Sequence, residues 1–171
     1  MEPFVIRRAA PSDAAAMLDY LKQVGGETDN LSFGAEGLPF SVDEEAAYLR
    51  AHADSGDQVC LVAACGQTLM GTASVDRLPR RMQHRGEVGI SVVRAMWGQG
   101  VGSALMHHLI QFAKENYFEM LCLEVRSDNA RAIRLYEKFG FQKRCRYPDF
   151  CRVNGEPVDF DLMSLRLDAA H

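Results

Sequence analysis

Runs of apolar residues and their spacing divide the chain into eleven predicted elements. Four helices are predicted where apolar side chains recur every three or four residues, as at Val101, Leu105, Leu109 and Phe112. Seven strands are predicted where short runs rich in Val, Ile and Leu occur, over residues 4–9, 58–65, 68–77, 86–93, 120–126, 141–147 and 158–167. The order β-α-α-β-β-β-α-β-α-β-β predicts an α/β sandwich on a mixed, mostly antiparallel sheet.

Polar residues and glycines mark the boundaries of the predicted helices. The Gly-Gly pair at 25–26 predicts the end of the first helix, and Ser41–Glu44 forms a capping-box pattern that opens a second one. Ser127–Asn129 predicts the start of a helix that ends at Gly140. Residues 27–41, rich in Asn, Ser, Gly and Pro, are predicted to form a long loop, and long loops often carry function.

Composition places the chain among ordinary globular proteins. A length of 171 residues with 47% hydrophobic residues predicts one domain, residues 1–171, with a sizeable core. The formal net charge of −4 disfavours a nucleic-acid partner. The longest unbroken apolar run, Val59–Cys65, is far too short to span a bilayer. No membrane partner is therefore expected.

The cysteines and the N-terminus bear on the compartment. Five cysteines are scattered along the chain with no C-x-x-C pair, which indicates reduced thiols and no metal site. Glu2 and the short apolar run before Arg7 are unlike a signal peptide. We therefore expect a cytoplasmic protein.

A glycine-rich segment, Gly98–Gly102, lies between a predicted strand and a predicted helix. Glycines allow close approach of a ligand to the backbone, and the first helical turn leaves N–H groups free at the positive end of the helix dipole. Such a segment either cradles phosphate oxygens or forms a tight turn between strand and helix. It lacks the Gly-Lys-Ser/Thr of a P-loop, and its late position is unlike a dinucleotide-binding fold.

Three segments together resemble the GNAT superfamily of acyl-CoA N-acyltransferases. They are Gly100–Leu105 after a strand, Leu123–Val125, and Asn129–Phe141 with its Asn-x-x-Ala-Ile-x-Leu-Tyr-Glu-Lys-x-Gly-Phe pattern. The resemblance follows the element order over nearly the whole chain. One departure is Trp97, because the family's loop usually begins with Gln or Arg.

The resemblance implies a fold of about seven strands and four helices, in which a bulged fourth strand splays from the fifth. It implies acetyl-CoA as co-substrate and no metal. The pyrophosphate would bind the backbone amides of Gly98, Gln99, Gly100, Val101, Gly102 and Ser103. The pantetheine amides would bind the backbone of Val92, Val93 and Arg94, and further contacts would come from Asn129, Arg131 and Tyr136.

The same resemblance suggests the groups that move protons. Tyr136 matches the family's general acid, although it could instead be a core aromatic. Asn129 could also be an ordinary N-cap. An amine with a pKa near 10.4 must lose a proton before it attacks, and Glu87 is the first candidate for the base, with Glu124 second. Since strand side chains alternate between faces, either carboxylate could point to solvent.

The acceptor is the least determined part of the reaction. The interpretation we favour is acetyl transfer by direct attack to a primary amine of a small molecule, such as an amino acid or an amino antibiotic. Acetylation of protein N-termini, as in ribosomal-protein acetyltransferases, is the first alternative. The peptide would then lie between residues 27–40 and the hairpin of residues 144–157. A non-catalytic acyl-CoA-binding module is the second alternative, and a homodimer is possible in either case.

Overall fold

A computed structural model describes residues 3–168 and contains the predicted elements in the predicted order. The strands are β1 (Val5–Arg8), β2 (Gln58–Cys65), β3 (Thr68–Arg77), β4 (Arg85–Val92), β5 (Met120–Arg126), β6 (Gln142–Val153) and β7 (Glu156–Arg166). The helices are α1 (Ala14–Glu27), α2 (Val42–Ala53), α3 (Val101–Glu115) and α4 (Ala130–Lys138). Within residues 3–168, the helices are too short or too polar to traverse a lipid bilayer.

One sheet joins the seven strands in the order β1-β2-β3-β4-β5-β7-β6. The β4–β5 pair is parallel, and the other five pairs are antiparallel. The mixed, mostly antiparallel sheet predicted from the element order is confirmed. Helix α3 provides the crossover connection that a parallel pair needs, and the strand order places this pair near the middle of the sheet.

The parallel pair is short, and this creates an opening in the sheet. Arg85–Glu87 of β4 pairs with Met120–Cys122 of β5, and the two strands separate beyond that point. The predicted splay between the fourth and fifth strands is therefore confirmed. The bulge implied for the fourth strand is wrong, because β4 pairs with β3 from Gly86 to Val92 without a register shift.

Apolar side chains fill both faces of the sheet. On one face, Leu105, Met106 and Leu109 of α3 are fully buried and pack in a cluster with Leu121 and Val75 of the sheet. On the other face, α1 and α2 form a second buried cluster with β2 and β3. The opening between β4 and β5 thus lies in a sheet that is packed on both faces.

Two predicted boundaries are wrong, each for a local reason. Helix α1 runs through Gly25 and Gly26 to Glu27. A Cβ at Gly25 would lie 2.1 Å from the carbonyl oxygen of Gly34, so glycine is needed there for close packing of the loop and does not end the helix. Strand β6 reaches Val153 instead of stopping at 147, because a pairing irregularity after Tyr147 accommodates a proline on this edge strand.

Candidate active site

A cleft of about 650 Å³ opens where β4 and β5 separate. Its walls are the end of α1 with residues 28–32, the two separating strands, the glycine segment, the start of α4, and parts of β6 and β7. The predicted site residues that line it are Val92, Gly98, Gly100, Val101, Gly102, Ser103, Glu124, Asn129, Arg131 and Tyr136. Across residues 3–168, no group of three or more His, Cys, Asp or Glu side chains could hold a metal ion.

The glycine segment presents free N–H groups to this cleft. Gly98 and Gly100 have φ angles of 74° and 84°, in the left-handed region that glycine adopts without strain. Gly100 is the N-cap of α3 and has no side chain that could satisfy the first turn. Five backbone N–H groups donate to no acceptor in the described part of the chain: those of Gly98, Gly100, Val101, Gly102 and Ser103. These five amides form a cradle of the kind that binds phosphate oxygens.

Gln99 does not contribute to the cradle. Its backbone N–H donates to the carbonyl oxygen of Met96 at 3.4 Å, and its side-chain amide donates to the carbonyl oxygen of Ala95. The glutamine therefore closes the turn before α3. The prediction that its amide binds pyrophosphate is not supported by this geometry.

The backbone of β4 offers a different set of groups from the one implied by the resemblance. The Val93 N–H donates to the carbonyl oxygen of Met70, and the Arg94 N–H donates to the carboxylate of Glu27 at 2.7 Å. Both groups are thus engaged within the protein. Of the three residues predicted to bind pantetheine, only Val92 lines the cleft.

Alternation along β4 identifies the groups that do face the opening. Arg85 and Val93 direct backbone groups toward β3. Backbone groups alternate in direction along a strand, so even-numbered residues point the other way. Glu87 is the last residue of β4 that pairs with β5, so the even-numbered residues whose backbone groups face the opening are Val88, Ile90 and Val92. The sequence reasoning missed Ile90, although the strand period would have found it once the register was known.

Tyr136 projects from α4 into the cleft. Its side chain is buried and packs against Phe141, with ring centroids 5.8 Å apart. Its hydroxyl has no hydrogen-bond partner among the described residues. Every fully buried polar side-chain atom of those residues has a partner, so the hydroxyl is not fully buried. The hydroxyl therefore opens onto the cleft. Burial raises the pKa of the phenol, which keeps its proton in place at neutral pH.

The two candidate bases occupy different places. Both glutamates reach solvent, but Glu124 lines the cleft and Glu87 is not among the residues of 3–168 that line it. The pKa of Glu124 is raised by partial burial and, secondly, by the negative charge of Glu87. The two carboxylates are therefore close enough to interact, and Glu124 is the one that faces the cavity.

Cationic and aromatic groups border the cradle. Asn129 caps α4, since its Oδ1 accepts from the Ala132 N–H at 3.2 Å, and it also lines the cleft. The Arg131 guanidinium lies 3.1 Å from the ring centroid of Trp97, whose indole N–H donates to the Val92 carbonyl oxygen at 2.9 Å. Within residues 3–168 no carboxylate pairs with Arg131. Burial, with the charges of Arg94 and Arg134, lowers its pKa. This unpaired cation beside free amides suits an anionic ligand.

Comparison with known families gives this geometry a context. The chain matches the acetyltransferase (GNAT) family over residues 29–141. It belongs to this family. The GNAT resemblance drawn from the sequence motifs is therefore confirmed.

Curated relatives share part of the chain. The N-alpha-acetyltransferase RimI of Mycobacterium tuberculosis is 36% identical over 108 residues, which are 63% of this chain and 64% of the relative. The L-amino acid N-acetyltransferase AaaT of Escherichia coli is 36% identical over 103 residues, which are 58% of this chain and 62% of the relative. The chain thus spans somewhat less than two thirds of the length of these relatives.

Solved structures match almost the whole chain. A GNAT family acetyltransferase from Streptococcus pneumoniae has a TM-score of 0.92 and 27% identity, covering 97% of this chain and all of that one. The yncA protein of Salmonella typhimurium, solved with its cofactor acetyl-CoA, has a TM-score of 0.83 and 24% identity, covering 96% and 94%. The described fold is therefore the GNAT fold.

Proposed function

We propose that the protein transfers an acetyl group from acetyl-CoA to a primary amine of a small molecule by direct attack. The observation that carries this proposal is the cleft between β4 and β5, which brings the cradle, the Tyr136 hydroxyl and the Glu124 carboxylate together. Family membership supports the reaction class. Amino acids and amino antibiotics are the acceptor classes that the sequence favours.

The cofactor fits the described groups from one end of the cleft to the other. The five free amides of the glycine segment would hold the pyrophosphate, with Arg131 as the neighbouring cation. The backbone groups of Ile90 and the N–H of Val92, which face the opening, would pair with the pantetheine amides, as an added strand would. The Val92 carbonyl oxygen already accepts from the Trp97 indole N–H. This arrangement directs the thioester toward Tyr136 and Glu124.

The side chains then handle two protons. Glu124 takes a proton from the ammonium group of the acceptor, directly or through a water molecule. The amine nitrogen attacks the thioester carbonyl carbon, so that an N–C bond forms and the C–S bond breaks. The Tyr136 hydroxyl gives its proton to the departing sulfur, and the proton that the nitrogen loses as the amide forms restores the hydroxyl. A thiol with a pKa near 8.5 is a modest leaving group, so this proton transfer assists the cleavage.

Acetyl-CoA should stabilise the folded protein. At a concentration of 100 times its Kd, a ligand adds about 2.7 kcal/mol to the free energy of unfolding. For a chain of this size, this is a rise in Tm of about 5–10 °C. A thermal melt with and without acetyl-CoA measures it, with ATP as a control nucleotide. An unchanged Tm at saturating acetyl-CoA would contradict the cofactor assignment.

Turnover should depend on the charge of Glu124. A base must be deprotonated, so kcat should fall as the pH drops through the raised pKa of this carboxyl. Glu124→Gln should lower kcat by about 10²-fold. Glu87→Gln should retain turnover and shift the acidic limb of the kcat profile to lower pH, because it removes the charge that raises the pKa of Glu124.

The control for both variants is Glu119→Gln, which changes an exposed glutamate just before β5. It should leave the pH profile of kcat unchanged. If Glu87→Gln abolishes turnover while Glu124→Gln does not, the base is Glu87, as the sequence first suggested.

Acetylation of protein N-termini is a second candidate function. It is favoured by the similarity to the N-alpha-acetyltransferase RimI. Residues 28–32 and Phe150–Cys151 border the cleft, so a peptide would have a loop and a hairpin to contact. Thiol release from acetyl-CoA, measured with amino acids, polyamines, aminoglycosides and N-terminal peptides, separates the two functions. No release with any amine would favour a non-catalytic binding module.

A further inference from the structure

The part of the cleft around Glu124 is lined by one further charged side chain and several apolar ones. Glu124 and Arg126 lie on one face of β5, two residues apart. Phe160 of β7 pairs directly with Arg126, so its side chain lies on the same face. These three residues line the cleft together with Phe150 of β6 and Leu31. Val125, between Glu124 and Arg126, packs in the cluster with α3, so Glu124 and Arg126 lie on the face of the sheet away from α3 and from the cradle at its N-terminus. An acceptor would enter on this face.

Arg126 is the one basic side chain within residues 3–168 that lines this part of the cleft, and it is already engaged. Arg126 makes two hydrogen bonds to the carboxylate of Asp128, Nε to Oδ1 at 2.7 Å and Nη2 to Oδ2 at 3.2 Å. Its Nη1 donates to the carbonyl oxygen of Asp29 at 3.2 Å. The Asp128 carboxylate thus occupies the Nε–Nη2 edge of the guanidinium and neutralises its charge. A ligand carboxylate would have to displace Asp128 to bind this edge.

The other basic side chains that line the cleft lie at its cofactor end. Arg131 stacks on Trp97 beside the cradle. The Lys138 ammonium donates to the hydroxyl of Ser103, within the cradle. Among the described residues of the cleft, no free cation is thus left to bind a carboxylate of the acceptor. The unpaired charge near the acceptor is the negative charge of Glu124.

An apolar wall faces this carboxylate. The rings of Phe150 and Phe160 stack with centroids 4.7 Å apart and an angle of 26° between their planes. Phe160 is buried, whereas Phe150 is 37% exposed. The pairing irregularity between Tyr147 and Cys151 is what allows Phe150 to turn onto Phe160. Open aromatic surface beside a carboxylate suits a cationic ligand with an apolar body.

We infer that the acceptor is a primary amine that carries an aryl or apolar substituent and no carboxylate beside its nitrogen. An arylethylamine has this chemistry. Its nitrogen would approach Glu124, and its ring would lie against Phe150, Phe160 and Leu31. This inference rests on the proposed acetyltransferase activity and narrows it, because it disfavours free amino acids.

A matched set of acceptors tests the inference on the full-length protein. Phenethylamine and phenylalanine differ by one carboxylate, and a tetrapeptide that begins with phenylalanine tests a peptide acceptor. We expect kcat/KM for phenethylamine to exceed that for phenylalanine by at least about tenfold, since an unpaired charge is disfavoured in a partly buried site. It should also exceed that for the peptide, because the proposed acceptor is a small molecule. Phenylalanine or the peptide as the better acceptor overturns the inference and leaves the proposed activity standing. No thiol release with any amine overturns both.

Two variants test the residues that carry the inference. Asp128→Asn weakens the hold on Arg126 and should raise kcat/KM for phenylalanine relative to phenethylamine by about tenfold. The control is Asp57→Asn, which makes the same change in a carboxylate that lies 2.7 Å from Arg77, outside the cleft, and should leave this ratio unchanged. An unchanged ratio in Asp128→Asn shows that Arg126 does not exclude carboxylates and overturns that step.

Phe150→Ala tests the apolar wall. This side chain is partly exposed, so its loss should not unfold the protein. KM for phenethylamine should rise about tenfold, while KM for acetyl-CoA and kcat/KM for ethylamine, which has no ring, should stay within about twofold. An unchanged KM for phenethylamine removes the wall from the acceptor site.

Discussion

Replacing Tyr136 with phenylalanine should lower turnover by about 10²–10⁴-fold, the usual contribution of a general acid. The ring would keep its packing against Phe141, and the change removes a hydroxyl that has no hydrogen-bond partner within residues 3–168. Stability should therefore change little, because no hydrogen bond of the folded protein is lost. The affinity for acetyl-CoA should also stay within about twofold, since the proton is needed as the sulfur departs and not before.

The measurement is single-turnover acetyl transfer at saturating amine, which separates chemistry from product release. Tyr117→Phe is the matched control, because that tyrosine is 79% exposed and lies just after α3. It should behave as the unaltered protein does. Full single-turnover activity in Tyr136→Phe would show that Tyr136 is a packing residue, and water would then be the proton donor.

Local signals in the sequence predicted the elements well. The capping box at Ser41 forms as expected, with Glu44 N–H donating to the Ser41 hydroxyl and Ser41 N–H donating to the Glu44 carboxylate. Asn129 caps α4 in the same way that its residue type predicts. Such signals depend on a few adjacent residues, so they are readable without knowledge of the tertiary fold.

Contacts between distant segments could not be read in this way. Gly25 is helical because the loop at Gly34 packs against it, which no local pattern reports. The N–H of Arg94 is engaged because Glu27, at the end of α1, reaches it from 67 positions away. In both cases a contact between distant segments decides the local structure: a helical Gly25 where a helix end was expected, and an engaged Arg94 N–H where a free one was expected.

The ranking of the two glutamates depended on a single register. Glu87 is the last residue of β4 that pairs with β5, opposite Cys122. Glu124 lies two residues beyond that pair, where the strands have separated. If the pairing ended two residues later, Glu124 would also lie within the paired region. The sequence identifies both carboxylates as candidates, but only the point of separation decides which one faces the cleft.

The cradle should be disrupted by a single charge at Gly100. Gly100→Asp would place a carboxylate among the free amides, where an added Cβ has no other atom within 4 Å. Two like unit charges about 4 Å apart repel by about 4 kcal/mol at an effective dielectric constant of about 20. The Kd for acetyl-CoA should therefore rise at least about hundredfold, as measured by calorimetry.

The φ of 84° at Gly100 would itself strain most side chains, so charge must be separated from strain. Gly100→Asn has nearly the same size as the aspartate variant, tolerates the left-handed region, and is neutral. Gly66→Asp adds the same charge at a φ of 58° with equally open space, in the turn between β2 and β3. If the cradle binds phosphate, Gly100→Asp should bind acetyl-CoA at least about tenfold more weakly than Gly100→Asn, and Gly66→Asp should bind it normally. Equal affinities for the two Gly100 variants would mean that only the backbone conformation matters there, and that the phosphates lie elsewhere.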